Sequence, residues 1–234
     1  MNILVIGGSG FIGKMIVPFL RQRHETAVFD LLPPADGTAP HICGDVAAAG
    51  SLSSATAGRD AVVYLAMGKD AKGDVGAIGP AYDVNVRGVH HACAAAVERG
   101  VRRFVYMSTL SVYGGEAARF FGTEDELPDP PSVYGFTKWL GEEVCRYFAR
   151  VHKLSCIALR LNCPVEDGAW EATYRQYPDM GATCGTDIAR AVLAAVECRH
   201  EGFDAVFISG DFAGRKMSLA KAKSLLGWTP EQRP

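Results

Sequence analysis

Tyr134 and Lys138 stand four residues apart, a spacing that puts both side chains on one face of a helix. An ammonium held beside a phenol favours the phenolate and lowers the phenol pKa. Tyr134 is therefore a candidate general acid or base near neutral pH. Alone, such a pair usually decorates a surface, and its weight comes from what precedes it. Ser108-Thr109-Leu110-Ser111-Val112-Tyr113-Gly114 sets a run of hydroxyls after the apolar stretch Arg103–Met107, at the C-terminal end of a strand, where open α/β sheets bind ligands. A third stretch opens the chain. Asn2–Ile6 is short, apolar and β-branched, and Gly7-Gly8-Ser9-Gly10-Phe11-Ile12-Gly13 follows at once. Spaced glycines between a strand and a helix build a phosphate cradle: one for a tight turn, one for close approach to a pyrophosphate, one for helix-to-strand packing. The unpaired N–H groups and the positive end of the helix would face the phosphates.

These residues need a scaffold, and the hydrophobic pattern supplies one. A first helix is expected over Phe11–Arg23, with Phe11, Ile12, Met15, Ile16, Phe19 and Leu20 on its apolar face and a bend at Pro18. Thr26–Phe29 reads as a second strand ending at Asp30, where a carboxylate either accepts from the hydroxyls of an adenine ribose or is a solvated loop acid. His41–Cys43 is a short strand, Ser51–Thr56 a helix, and the continuous apolar run Ala61–Ala66 a strand buried on both faces. A loop over Gly68–Gly79, a long helix over Tyr82–Arg99 closed by Gly100, and a helix from Tyr134 to about Val151 complete the reading. Strands alternating with helices predict an α/β fold, a Rossmann-type doubly wound parallel sheet.

Composition narrows the function. The chain has 234 residues, 48% hydrophobic and 21% charged, with a formal net charge of -2. Without a basic block, nucleic acid and anionic membrane are poor partners. No apolar run has the length of a membrane span, and the chain enters a strand directly, without a signal peptide. Seven scattered cysteines with no C-x-x-C read as reduced, mostly buried thiols of a cytoplasmic protein. The neighbours His90-His91 point different ways on a helix, so no metal site is expected.

Together these stretches resemble the extended short-chain dehydrogenase/reductase family, in its NAD-dependent epimerase/dehydratase group. The matching pieces are Gly7-x-x-Gly10-x-x-Gly13, Asp30, Gly44-Asp45-Val46, Leu65-Ala66, Asn85-Val86-x-Gly88, Ser108-Thr109 before Val112-Tyr113-Gly114, and Tyr134-x-x-x-Lys138. Weaker likeness continues through Gly185–Ala191, Ser218–Ala222 and Leu226–Pro230. The resemblance implies NAD rather than NADP, since Asp30 would repel a 2′-phosphate. It implies that Gly7, Gly10, Phe11, Ile12 and Gly13 hold the pyrophosphate and Asp30 the adenosine ribose. Asp45 and Val46 would flank adenine, and Leu65 and Ala66 would line the cleft. Asn85 would support the active-site backbone or the cofactor. Tyr134 would exchange the proton of the reacting hydroxyl, Lys138 would tune Tyr134 and bond the nicotinamide ribose, and Thr109 would bond the reacting oxygen, with Ser108 and Ser111 as close alternatives. Met67, Ser108, Ser111 and Asn162 are the candidate substrate contacts. A homodimer through the two long helices is the family's habit.

The chain departs from the family in two places. Arg160-Leu161-Asn162-Cys163-Pro164 lacks the Val-Tyr-Gly-Pro element, and the remainder is short. The expected organisation is an NAD-binding domain over residues 1–160 and a reduced substrate lobe over 161–234, packed as one unit. That size resembles the uronate dehydrogenases and points to a sugar or sugar acid. Trp170, Tyr174 and Tyr177 either cap a small substrate cleft or cover the core. Glu124-Asp125-Glu126 reads as a solvated loop. The expected activity is hydride transfer at a secondary alcohol, as a dehydrogenase or as a nucleotide-sugar epimerase that retains NAD. A dehydratase would carry an Asp-Glu pair where Leu110-Ser111 stand. The alternative of another class is a dinucleotide-binding regulator without turnover, which the presence of both Tyr134 and Lys138 disfavours.

Overall fold

The computed structural model describes all residues except 36, 38, 49, 69–78, 116–118 and 234. Nine strands are described: β1 (Asn2–Ile6), β2 (Glu25–Asp30), β3 (His41–Cys43), β4 (Ala61–Tyr64), β5 (Arg103–Thr109), β6 (Ser155–Leu161), β7 (Pro164–Val165), β8 (Thr183–Cys184) and β9 (Phe203–Ile208). Seven of them form one sheet in the order β3-β2-β1-β4-β5-β6-β9, and every pairing is parallel. The apolar runs that seed β1 and β4 are buried on both faces, from Ile3 to Ile6 and from Ala61 to Tyr64. Parallel strands with covered faces need this composition, since alternation would place polar groups under a helix. The order reverses between β1 and β4, and that switch point opens the cleft where doubly wound sheets bind ligands.

Helices α1 (Phe11–Leu20), α2 (Ser51–Thr56), α3 (Gly79–Tyr82), α4 (Val89–Glu98), α5 (Val133–His152), α6 (Asp167–Gln176), α7 (Gly185–Glu197) and α8 (Ala220–Leu226) complete the fold. One core layer packs α1 and α7 on the sheet through Ile16, Leu20, Ile188 and Val192. The other packs α4 and α5 through Val89, Cys93, Cys145 and Phe148. Two expected helices differ. Helix α1 contains Pro18 but ends at Leu20, and residues 21–23 continue as turns; Phe11 is exposed rather than on the apolar face. The helix expected over Tyr82–Arg99 is interrupted by a π-helical stretch, Asp83–Gly88, before α4 begins. The widened turn turns carbonyls outward, and Tyr64 donates its hydroxyl to Val84 O at 2.6 Å. Gly100 follows α4 with φ 72°, in the left-handed conformation that the helix end requires.

Residues beyond 161 build more than a lobe. Strand β9 is the last strand of the main sheet, and α7 shares a core with α1. Only β7, β8 and α6, with Trp170 packed on Ala182 and Cys184, form a small separate layer. The C-terminal signature docks onto α7: Trp228 Nε1 donates to Asp187 O at 3.0 Å, and the Asp187 carboxylate accepts the N–H groups of Glu231 and Gln232. Most of the loop expected over Gly68–Gly79 lies outside the described residues.

Candidate active site

The three spaced glycines do different work. Gly7 has φ 81°, and a Cβ there would lie 2.4 Å from Ala66 N, so β1 turns directly against the segment after β4. A Cβ on Gly13 would lie 2.0 Å from Gly8 O, where helix packs on loop. Gly10 is exposed, and its Cβ would meet only Gly7 O, at 3.4 Å. Space is thus held open at the one glycine that heads α1. No side chain caps that helix and none of its first-turn residues is acidic, so its leading N–H groups face outward with the positive end of the dipole. Asp30, at the end of β2, accepts from Ser9 N at 3.0 Å and Leu32 N at 3.3 Å, which ties the carboxylate to the same loop. Asp45 is exposed and turns the chain by accepting Ala47 N at 2.8 Å, with Val46 buried beside it. Leu65 and Ala66 are half-buried and Met67 is exposed, along the cleft edge after β4. These residues fit a dinucleotide: an open cradle at an uncapped helix start, with an acid at the tip of the neighbouring strand.

Thr109 ends β5, and its Oγ1 accepts from Ser111 N at 3.2 Å, capping the 3-10 turn Leu110–Val112. Ser132 caps α5 in the same way through Gly135 N at 3.1 Å. A Cβ on Gly135 would sit 1.9 Å from Ser111 O, so the first turn of α5 rests on the turn after Thr109. The turn that carries Tyr134, which is half-buried, is thereby seated against the turn that follows β5. Asn85, fully buried, accepts from Gly68 N at 3.0 Å and donates to Thr137 Oγ1 at 3.0 Å, while Thr137 Oγ1 donates to Tyr134 O at 3.1 Å. It braces the backbone that carries Tyr134.

Lys138 is 3% exposed, and its ammonium lies 4.6 Å from the centre of the Tyr106 ring. Burial pulls its pKa down to about 8, against the opposing pull of Glu142. Glu142 follows Lys138 by one turn and is itself buried. It accepts from Ser108 Oγ at 2.5 Å and binds Arg160 through both oxygens, at 2.9 and 2.7 Å. Arg160 also donates to Glu124 O at 2.8 Å and to the Tyr113 hydroxyl. The Glu124 carboxylate accepts Phe207 N at 2.9 Å, and desolvation raises its pKa. The acidic run is therefore not simply a solvated loop: Asp125 is exposed, but Glu124 is buried because its carboxylate satisfies a strand N–H. Ser108 is committed to this network and faces away from Thr109, as alternation along a strand demands. Asn162 is buried and gives its amide to Met180 O, Gly181 O and Ser209 Oγ, which braces the small layer. Trp170 is buried and donates to Ala182 O at 2.9 Å, so it belongs to the core, while Tyr177 is exposed.

Glu142 and its partners were not anticipated as a group. The available signal was a charged residue on the stripe Tyr134, Lys138, Glu142, Cys145, the inward face of an amphipathic helix.

The family model described as the NAD dependent epimerase/dehydratase family matches residues 3–165. An N-acetyl-alpha-D-glucosaminyl-diphospho-ditrans,octacis-undecaprenol 4-epimerase of Escherichia coli O157:H7 is 35% identical over 152 residues, covering 62% of this chain and 43% of that protein. A uronate dehydrogenase of Pseudomonas putida is 26% identical over 170 residues, covering 68% of this chain and 60% of that protein. The chain thus spans less than two thirds of either relative. Among solved structures, MoeE5 in complex with UDP-glucuronic acid and NAD superposes with a TM-score of 0.84 at 24% identity, covering 100% of this chain and 95% of that one.

Proposed function

The chain belongs to the NAD-dependent epimerase/dehydratase family, and on that footing we propose that it is an NAD-dependent oxidoreductase or epimerase acting on a secondary alcohol of a sugar or sugar acid. The observation that carries this reading is the seating of the first turn of α5 on the Thr109–Ser111 turn through Gly135. It supports a reading in which the phenol of Tyr134, the hydroxyl of Thr109 and the buried ammonium of Lys138 serve one reacting centre.

NAD, when bound, supplies the hydride acceptor. The protein's own groups handle the proton. Thr109 Oγ1 receives a hydrogen bond from Ser111 N, which leaves its own O–H to donate to the reacting oxygen. Tyr134 takes the proton of that hydroxyl on oxidation and returns it on reduction. Lys138, with a pKa of about 8, keeps its charge at neutral pH and favours the Tyr134 phenolate. Gly7, Gly10 and Gly13, with the N–H groups of Phe11 and Ile12, hold the pyrophosphate. Asp30 holds the ribose and selects NAD over NADP. Asp45 and Val46 flank the adenine, and Leu65 and Ala66 line the cleft. Met67 and Ser111 are the exposed or half-exposed candidates for substrate contact. Ser108 and Asn162, as placed, act through the framework. The small layer of β7, β8 and α6 covers the substrate side. Two copies would pair through α4 and α5, where Tyr147 and Val151 are exposed apolar positions. No described helix is long and apolar enough to cross a membrane, which suits a small polar substrate in the cytoplasm.

The relatives include both an epimerase and a dehydrogenase, and cofactor retention separates the two. Protein purified with stoichiometric NAD works as an epimerase, whose cycle returns hydride to the substrate. Empty protein that binds NAD reversibly works as a dehydrogenase, and a screen of sugars and sugar acids for NADH production identifies the substrate. Tyr134→Phe keeps NAD binding and lowers turnover at least about a hundredfold. Absence of binding of either dinucleotide refutes the reading.

A further inference from the structure

The proposed chemistry uses none of the charged atoms of Glu142 and Arg160, yet both side chains are buried, at 0% and 2% exposure, in a two-point ion pair. A buried ion pair is weak evidence of stabilisation, because apolar residues of similar volume are often as good or better. Its place in the fold is more informative. Glu142 lies one turn after Lys138 on α5, and its second partner, Ser108, immediately precedes Thr109 on β5. Arg160 comes from β6, the neighbouring strand, where it pairs in register with Ser108. One carboxylate therefore joins the helix that carries Tyr134 and Lys138 to the strand that ends at Thr109.

We propose that Glu142 is a positioning residue of the active site, acting through Lys138 along α5 and through Ser108 on Thr109, with Arg160 as its counter-charge. The inference rests on the reading of Tyr134, Lys138 and Thr109 given above and goes beyond it. The titratable groups that act on Lys138 are Glu142 and Cys145 from its own helix, the Tyr106 ring of β5 lies against its ammonium, and Tyr134 stands one turn before it on α5. The π-helical stretch contributes the neutral Asn85. Arg160 lies behind Glu142, the thiols Cys93 and Cys156 lie behind Cys145, and Tyr64 lies behind Tyr106. Glu142 leads the groups that hold the Lys138 proton on against burial. Arg160 is not among those that shift it. The Glu142 carboxylate is itself held in place by hydrogen bonds from Arg160 and Ser108.

The test is the titration of Lys138 in the full-length protein, read by heteronuclear NMR of the lysine side-chain nitrogens and assigned from the signal missing in Lys138→Arg. The wild-type midpoint is expected near 8, lowered by burial. Glu142→Gln moves the midpoint down by about one pH unit. Because that variant leaves Arg160 buried without its partner, the paired change Glu142→Gln with Arg160→Met is measured beside it. The double variant regains thermal stability but keeps the lowered midpoint, and it binds NADH more weakly than the wild type above pH 7. A double variant that regains both stability and the wild-type midpoint makes the pair merely structural and overturns the inference. Failure of the wild type to bind NADH instead overturns the functional reading beneath it, and the two failures fall on different proteins.

Discussion

Lys138→Met should make the protein more stable at neutral pH while weakening its hold on NAD. Burial moves the Lys138 pKa from 10.5 to about 8. At about 1.4 kcal/mol per pH unit, that displacement corresponds to about 3 kcal/mol for keeping the ammonium inside the folded protein. The side chain is 3% exposed, so little is lost to solvent screening. The sign follows from proton counting. Below the folded pKa both states carry the proton, and the folded protein bears the whole cost. Between about 8 and 10.5 the unfolded chain binds more protons, so wild-type stability rises with pH. Above 10.5 the lysine is neutral in both states and the cost is gone. Methionine has similar length and no charge to bury. The variant should therefore melt higher than the wild type by about 6–12 °C at neutral pH, for a chain of this size. The gap should narrow as pH rises through 8. Thermal unfolding without added cofactor, scanned from about pH 6 to about pH 10, measures both. Equal melting temperatures at neutral pH, or a gap that ignores pH, would refute the claim that a desolvated ammonium is held there.

Two substitutions separate cradle from scaffold. Gly10→Ala places a methyl in open space, so melting should hardly change while NAD affinity falls about tenfold or more. Gly13→Ala forces a methyl to 2.0 Å from Gly8 O and should lower thermal stability by several degrees. A Gly10 variant with unaltered affinity in calorimetric titration would remove the cradle. Asp30→Ala should weaken NAD at least about tenfold and NADP far less, and equal losses would mean that the acid does not meet the ribose.

The legible parts of this fold are those where one physical rule acts alone. Continuous apolar runs gave β1 and β4, because a parallel strand buried on both faces admits little else. Gly7 and Gly13 were readable because close backbone contacts exclude a Cβ. The assignments that failed depend on distant partners. Nothing local to Asp83–Gly88 requires a π turn; Tyr64 and the tight approach of Gly141 to Asn85 O arrive from other elements. Glu124 sits in a polar run, and its burial is explained by distant partners, Phe207 N on its carboxylate and Arg160 on its carbonyl. Strand β9 carries Asp204, which bonds His200 and pairs with Lys221, so its apolar pattern is diluted. At the site, Tyr134, Lys138 and Thr109 stood out by type and spacing. Glu142 did not, because a helix acid is ordinarily solvent-facing and its partner Arg160 lies on another strand.

The hydrogen bond from Phe207 N to the Glu124 carboxylate has a further consequence. Strand β9 is the last in its sheet, and an outermost parallel strand offers a ladder of unsatisfied amides to any passing chain. Glu124 Oε1 occupies one of those rungs at 2.9 Å, and the Phe121–Met217 bridge runs close by. A carboxylate cannot be extended by another strand, so this rung ends in an acceptor that terminates the ladder. The same loop that Arg160 tethers from inside thus also covers part of the outer edge of the sheet.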